Sequence, residues 1–121
     1  MAKLLVVDDD RDVVELLTFL LERFGHKIIE AENGKEGLET AVRERPDLIV
    51  LDIMMPEMDG LTMNKHLLKN PSTQAIPVII LTAKGQIRDT FEMTPNIKCF
   101  MEKPFDPKEF QAIVMDSLRK N

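Results

Sequence analysis

Five polar side chains that could do chemistry each follow a short apolar run of the kind that forms a buried strand. They are Asp8, Asp9, Asp52, Thr82 and Lys103. In an open sheet of parallel strands, ligands bind just beyond the carboxyl ends of the strands. Three carboxylates, a hydroxyl and an ammonium are therefore predicted to converge on one edge of the sheet.

Carboxylates that converge in this way need a cation. Two unit charges about 4 Å apart repel by roughly 4 kcal/mol at an effective dielectric near 20, so the group would otherwise partly protonate. Lys103 offsets one charge and leaves an anionic pocket lined by oxygen, which suits Mg²⁺ or Mn²⁺. Metals that prefer thiolate or imidazole are not expected, because the chain has one cysteine, Cys99, and its histidines, His26 and His66, lie away from the strand ends.

With a divalent cation, the pocket has the parts for phosphoryl transfer: a carboxylate nucleophile and, opposite it, an ammonium and a hydroxyl donor. Each residue alone also has an ordinary interpretation. Asp8 and Asp9 could be turn and cap residues, Thr82 a turn residue and Lys103 a surface charge. That all of these groups fall at the same end of successive strands favours a shared site.

Apolar patterning predicts five strands, each followed by a helix, and hence a parallel sheet with helices on both faces. The predicted strands are 4–7, 27–30, 48–51, 77–81 and 97–101, and the predicted helices are 11–24, 34–43, 61–68, 87–93 and a last one from 107. Doubly wound sheets commonly reverse their strand order between the first and third strands, or between the first and fourth. Only the first arrangement places Asp8 and Asp9 beside Asp52.

Helix-terminal residues support these bounds. Asp10 is a favourable N-cap for the first helix, and Gly25 is a favourable residue just after its end. Asn33 followed by glutamate three residues later begins the second helix as a variant of the capping box. Asp106 and Pro107 begin the last helix as N-cap and first helical residue.

Composition indicates one domain over residues 1–121, with a net charge of −5. The charge and the lack of a basic cluster argue against direct nucleic-acid binding, and no apolar run approaches the roughly 18 residues that span a bilayer. Cys99 cannot form an internal disulfide, which fits a reducing compartment. We therefore expect a cytoplasmic protein with no membrane insertion.

The chain resembles the receiver domain of two-component response regulators over essentially its full length. The matching motifs are Val-Val-Asp8-Asp9-Asp, Leu-Asp52-Ile-Met-Met-Pro-Glu-Met-Asp-Gly, Leu-Thr82-Ala and Lys103-Pro-Phe, in family-like order and spacing. This resemblance implies an α/β fold of the CheY-like, flavodoxin-like kind, a doubly wound (βα)5 sheet with strand order 2-1-3-4-5. It also implies two-component, phosphorelay signalling without turnover of an independent substrate.

The same resemblance assigns roles at the site. Asp52 would take a phosphoryl group from a sensor histidine kinase or a histidine phosphotransfer protein. Asp9, Asp52 and the Met54 main-chain carbonyl would bind Mg²⁺ directly, and Asp8 would bind it largely through water. A downstream protein or a fused output domain would read the signal.

The resemblance further implies a conformational switch. Thr82 and Lys103 would contact the phosphoryl oxygens, Phe100 would turn into the space that Thr82 vacates, and the Lys103–Pro104 bond would be cis. Because Phe100 has no phenol that must find a partner, we expect its inward rotamer to be populated without phosphate. Met54 and Lys84 occupy the positions that set phosphoryl lifetime, and since neither is a general base at neutral pH, we expect slow autodephosphorylation.

One departure concerns the loop before the fifth strand, where many receivers carry Gly-Ala and this chain has Thr94-Pro95-Asn96. It puts in question the signalling surface formed in the family by the fourth helix, fifth strand and fifth helix. Two other functions stay open at this point. The chain could be a receiver-shaped interaction scaffold that is not phosphorylated, although such proteins usually lose part of the acidic pair, the Asp or the Lys. It could also be a haloacid-dehalogenase-like phosphatase, a family with Asp-x-Asp after the first strand and normally a cap domain, whereas this chain is short and its isolated Asp52 follows the third strand.

Overall fold

The computed structural model describes residues 2–83, 85–86 and 93–119 of the chain. These residues form five strands and four helices, with bounds close to the predicted ones. The strands are β1 (Lys3–Val7), β2 (Lys27–Ala31), β3 (Leu48–Asp52), β4 (Val78–Thr82) and β5 (Ile97–Glu102), and the helices are α1 (Arg11–Arg23), α2 (Gly34–Glu44), α3 (Gly60–Lys69) and α4 (Pro107–Leu118). The predicted helix 87–93 and Lys84 lie outside the described residues, except for Met93.

The strands pair in parallel in the order β2-β1-β3-β4-β5. This confirms the predicted fold class, and β1 lies beside β3 as the site requires. Pairing is regular except between β4 and β5, where the register shifts between Val78 and Ile79. β2 is an edge strand and contributes none of the predicted site residues.

Alternate residues of the central strands pack on opposite faces of the sheet, because successive side chains of a strand point to opposite sides. One core cluster includes Leu5, Leu51 and Ile80 and packs against α2 and α3. The other includes Val6 and Leu81 and packs against α1 and α4. Both faces of β3 and β4 are buried, which explains their unbroken apolar sequences.

The helix starts confirm the predicted caps. Asp10 accepts hydrogen bonds from the Asp12 and Val13 amides, and Asn33 accepts one from the Glu36 amide. Asp106 caps α4, with Pro107 in the first turn. Gly25 adopts the positive φ, 89°, expected just after a helix end.

No helix among the described residues is long and apolar enough to cross a membrane.

Candidate functional site

The predicted convergence of carboxylates at the ends of β1 and β3 is present in the structure. β1 and β3 are paired through Val7 and Leu51, so the residues that follow each of them lie side by side. Carboxylate oxygens of Asp8, Asp9 and Asp52 all lie within 4.8 Å of one another. Asp8 and Asp52 are buried, with 1% and 5% of their surface exposed, whereas Asp9 is exposed.

Three consecutive acids after β1 have three different surroundings. Asp8 lies in the site, and its Oδ1 accepts a hydrogen bond of 3.0 Å from the Asp10 amide. Asp9 adds the exposed carboxylate of the cluster. Asp10 caps α1, so the helix begins directly at the edge of the site.

Lys103 joins the two buried carboxylates. Its Nζ lies 2.9 Å from Asp52 Oδ1 and 3.1 Å from Asp8 Oδ2. The backbone behind it is fixed to β4, since the Lys103 amide donates to the Thr82 carbonyl at 2.8 Å. The Lys103–Pro104 peptide bond is cis, as the sequence resemblance implied.

Burial dominates the electrostatics of the cluster. It raises the pKa of Asp52 to about 6, because the opposing effect of the Lys103 hydrogen bond and charge is incomplete and Asp8 adds repulsion. Burial also raises the pKa of Asp8, against the lowering effects of the Asp10 amide and Lys103. For Lys103 burial acts downward, but the hydrogen bonds and charges of Asp52 and Asp8 outweigh it and raise the pKa. One ammonium thus does not satisfy the two buried carboxylates.

Thr82 supplies a second unsatisfied group. It ends β4, it is 1% exposed, and its Oγ1 has no hydrogen-bond partner among the described residues. A buried hydroxyl without a partner costs free energy, so native structures seldom keep one without a reason. At the end of β4, this hydroxyl is placed to form a hydrogen bond with a ligand bound beside Asp52.

The loop after Asp52 is held by a close backbone contact. The Gly60 amide donates to the Ile53 carbonyl at 2.8 Å, and any side chain at Gly60 would collide with the Asp52 carbonyl. Within the loop, the Met58 amide donates to the Pro56 carbonyl at 2.8 Å, with Glu57 between them at a φ of 69°. A non-glycine residue rarely adopts this conformation. The start of α3 and a strained turn therefore fix the position of the end of β3 at Asp52.

The residues suit a divalent cation. The donor set of Asp8, Asp9 and Asp52 consists of carboxylate oxygens, the ligands that Mg²⁺ and Mn²⁺ favour. Burial raises the pKa values of Asp8 and Asp52 even beside Lys103, and a bound cation would favour their ionised forms. The individual roles stay predictions: Asp9, Asp52 and the Met54 carbonyl as direct ligands of the cation, and Asp8 as a ligand through water.

The remaining predicted site residues are Phe100, Met54 and Lys84. Phe100 is half-buried and packs against the core cluster shared with α2 and α3, so the prediction about its rotamer remains a prediction. The Met54 side chain is 70% exposed beside the buried Asp52. The predicted role of Lys84 falls on a residue outside the described ones.

An apolar groove adjoins the site. It has a volume of about 470 Å³ and is lined by Val13, Leu16, Ala83, Lys103, Pro104 and Phe105. Lys103 belongs both to this groove and to the carboxylate cluster. Leu16 is 51% exposed although it is a large apolar side chain.

Sequence reasoning missed a second polar cluster, which we call the amide ring. It consists of the buried Asn64 and Asn96 and the half-buried Thr94. Asn64 donates to Thr94 Oγ1 at 3.0 Å, Thr94 donates to Asn96 Oδ1 at 2.6 Å, and Asn96 donates to Asn64 Oδ1 at 2.6 Å. The ring ties α3 to the start of β5. The sequence feature that could have indicated the ring is an asparagine on the apolar face of α3, beside Met63 and one turn from Leu67.

The family model for the response regulator receiver domain matches residues 4–115. Among curated relatives, the alkaline phosphatase synthesis transcriptional regulatory protein PhoP of Bacillus subtilis is 41% identical, over 98% of this chain and 49% of its own. Protein PilH of Pseudomonas aeruginosa is 39% identical over 88% of both chains. The chain spans about half the length of the first curated relatives that it matches.

A solved structure shows the same architecture. The response regulator receiver domain protein from Clostridium thermocellum is 26% identical, with a TM-score of 0.88 over 98% of this chain and 94% of that one.

Proposed function

The chain belongs to the response regulator receiver domain family, and on this basis we propose that Asp52 is a phosphoacceptor whose phosphorylation depends on Mg²⁺. The phosphoryl donor would be a phosphohistidine on a sensor histidine kinase or on a histidine phosphotransfer protein. The observation that carries the proposal is the buried Asp52 carboxylate, held by Lys103 at 2.9 Å beside two further carboxylates.

Asp52 has the properties of a nucleophile that is ready to react. With a pKa of about 6, its carboxyl is about nine-tenths ionised at pH 7. Burial removes much of the water that would otherwise solvate the carboxylate. The close contact between Gly60 and the Asp52 backbone limits its movement.

In the proposed transfer, an Asp52 oxygen attacks the phosphorus and forms a P–O bond while the P–N bond of the phosphohistidine breaks. The bonding electron pair returns to the imidazole nitrogen, which then takes up a proton. Lys103 shifts from the Asp52 carboxylate to the oxygens of the transferred group. The Thr82 hydroxyl, which has no partner among the described residues, donates to another of these oxygens.

Asp9, Asp52 and the Met54 carbonyl would hold the cation, with Asp8 acting through water. When bound, Mg²⁺ neutralises phosphoryl oxygens and orients the group for in-line attack. Lys103 contacts both Asp8 and Asp52 and offsets part of their charge.

The switch would follow from the changed charge. Once Asp52 carries the phosphoryl group, Thr82 is drawn toward it, and Phe100 occupies the space that becomes free. Phe100 already packs against the core and has no hydroxyl to satisfy, so its movement breaks no side-chain hydrogen bond. A downstream protein or a fused output domain would sense the new surface.

The donor would approach through the apolar groove. The groove shares Lys103 with the site, and Leu16 at its rim is half exposed. Burial of this apolar surface would stabilise the complex with a protein donor. We place the reaction in the cytoplasm and treat the chain as one receiver unit that catalyses its own phosphorylation without turning over another substrate.

The test is incubation with a small phosphodonor and Mg²⁺, followed by intact mass measurement. We expect one added phosphoryl group on the wild type, none on Asp52→Asn and none with a chelator. Asp116→Asn is the matched control, because Asp116 is a surface aspartate with an 81% exposed side chain, and it should be labelled like the wild type.

Two results would contradict the proposal. Absence of an adduct with a competent donor would favour an interaction scaffold that is not phosphorylated. Steady release of phosphate from an ester would favour the phosphatase. The slow autodephosphorylation expected from Met54 and Lys84 is measured in the same experiment, where a lifetime of seconds would contradict it.

A further inference from the structure

Glu102 holds the backbone that follows Thr82. It is the last residue of β5, directly before Lys103, and it is paired with Thr82 in the sheet. Its Oε2 accepts a hydrogen bond of 2.6 Å from the Gly85 amide. One exposed carboxylate thus connects the end of β5, directly before Lys103, to the backbone that follows Thr82.

The local backbone leaves the Gly85 amide accessible to this contact. Gly85 has a φ of 77°, which glycine adopts without strain. The Gln86 amide donates to the Ala83 carbonyl at 3.0 Å, so the chain reverses soon after Thr82. Glu102 therefore binds the Gly85 amide, which lies within this turn.

The hydrogen bond between Glu102 and the Gly85 amide tolerates little displacement of either partner. A hydrogen bond with an ionised acceptor is strong at short distance but is lost by about 3.6 Å. A displacement of the Thr82 segment by about 1 Å relative to β5 would therefore break a bond that now measures 2.6 Å. The switch proposed above draws Thr82 toward the group on Asp52, so the backbone that follows Thr82 would shift relative to β5.

We propose that Glu102 is a positioning residue that holds the segment after Thr82 in its unphosphorylated position and so opposes the switch. This inference rests on the proposed function, because it concerns the movement of Thr82 toward a group on Asp52. The hydrogen bond to Gly85 stabilises the unphosphorylated conformation and not the phosphorylated one. Its loss raises the population of the conformation that engages the phosphoryl group, and tighter binding of that group follows.

The experiment measures binding of beryllofluoride, a mimic of the phosphoryl group, in the presence of Mg²⁺. Wild type, Glu102→Ala and Glu102→Gln are compared by titration. We expect Glu102→Ala to bind about fivefold more tightly than the wild type, the effect of one exposed hydrogen bond. Glu102→Gln keeps an acceptor oxygen and should lie between them.

A second readout follows the contact itself without metal or ligand. The Gly85 amide resonance should move in Glu102→Ala and move less in Glu102→Gln. In the wild type, saturation with beryllofluoride should move it in the same direction as the alanine substitution does. Glu109→Ala, which removes an exposed carboxylate from the first turn of α4, should change neither the resonance nor the affinity.

The outcomes separate this inference from the function on which it rests. If the wild type binds no beryllofluoride, the proposed function fails. If the wild type binds it and Glu102→Ala binds with the same or lower affinity, the function stands and the role of Glu102 is wrong. A Gly85 resonance unchanged by saturation would also overturn that role.

Discussion

Two buried polar clusters in this chain are built in opposite ways. In the amide ring, Asn64, Thr94 and Asn96 satisfy one another with three hydrogen bonds. At the carboxylate site, two buried acids share one ammonium, and the Thr82 hydroxyl has no partner among the described residues. The first cluster is complete without a ligand, whereas the second gains from any ligand that brings positive charge or hydrogen-bond acceptors.

This difference separates a structural role from a functional one. A satisfied buried network rigidifies the elements that it joins, and the ring joins α3 to the start of β5. An unsatisfied cluster lowers stability but is ready to bind, which is the usual compromise at functional sites. The following predictions test this contrast, beginning with the largest expected effect.

Asp52→Asn should stabilise the metal-free protein at alkaline pH. Because the pKa of Asp52 is about 6 in the folded protein and the ordinary value is 3.8, the folded state binds more protons than the unfolded chain between these values. Stability therefore falls as pH rises through this range. At pH 8 the variant should exceed the wild type in free energy of unfolding by up to about 3 kcal/mol.

Urea denaturation at several pH values, with a chelator present, measures this difference. Below about pH 3 both proteins carry a neutral group at residue 52 in the folded and the unfolded state, so the difference should vanish. If the wild type were more stable than Asp52→Asn at pH 8, the ionised Asp52 carboxylate would not destabilise the folded protein, and the contrast drawn above would be wrong.

Asn64→Leu should destabilise the protein by about 2 kcal/mol. The substitution leaves the buried Asn96 amide without a partner, which costs about 1–3 kcal/mol, and removes one hydrogen bond from the half-buried Thr94 hydroxyl. Lys65→Leu, at an exposed neighbouring position on α3, should change the free energy of unfolding by less than about 0.5 kcal/mol. An equal effect of the two substitutions in urea denaturation would contradict the assignment of the ring as a stabilising network.

Mg²⁺ should stabilise the protein through the carboxylate site. At ten times its dissociation constant, a cation bound only to the folded state adds about 1.4 kcal/mol. Thermal unfolding with and without Mg²⁺ should show the gain in the wild type but not in Asp9→Asn. Asp10→Asn, which keeps the cap of α1 and removes a neighbouring charge, should retain it, and loss of the gain in this control would point to a nonspecific charge effect.

Glu57→Gly should have the smallest effect, a gain of at most about 0.5 kcal/mol. Glycine relieves the cost of the positive φ at this position but adds conformational freedom to the unfolded chain. Arg45→Gly is the matched variant, because Arg45 has a φ of 45° at the end of α2. A large loss of stability in Glu57→Gly would mean that the Glu57 side chain makes a contact worth more than the backbone strain.

The fold and the carboxylate site were predictable because both follow from local patterns. Unbroken apolar runs mark the buried strands, and an acid directly after such a run can be located from the sequence alone, as Asp52 shows. The cis bond before Pro104 was expected only from the family resemblance, since nothing local indicates it.

The amide ring and the Glu102 contact were not predictable in the same way. Asn64 and Asn96 are 32 residues apart, and each taken singly fits a helix surface or a turn. Glu102 reads as an ordinary exposed strand residue until the fold brings the Gly85 amide to it. Pairings of this kind depend on tertiary packing rather than on local propensity.

The most direct test of the account is to locate the modified residue. The protein is phosphorylated with a small donor and Mg²⁺ and treated with borohydride, which reduces an acyl phosphate to an alcohol, and the peptides are then mapped by mass spectrometry. We predict reduction at Asp52 alone. Reduction at Asp9 or another carboxylate, or none in protein that carries the phosphoryl group, would contradict the assignment of Asp52 as the phosphoacceptor.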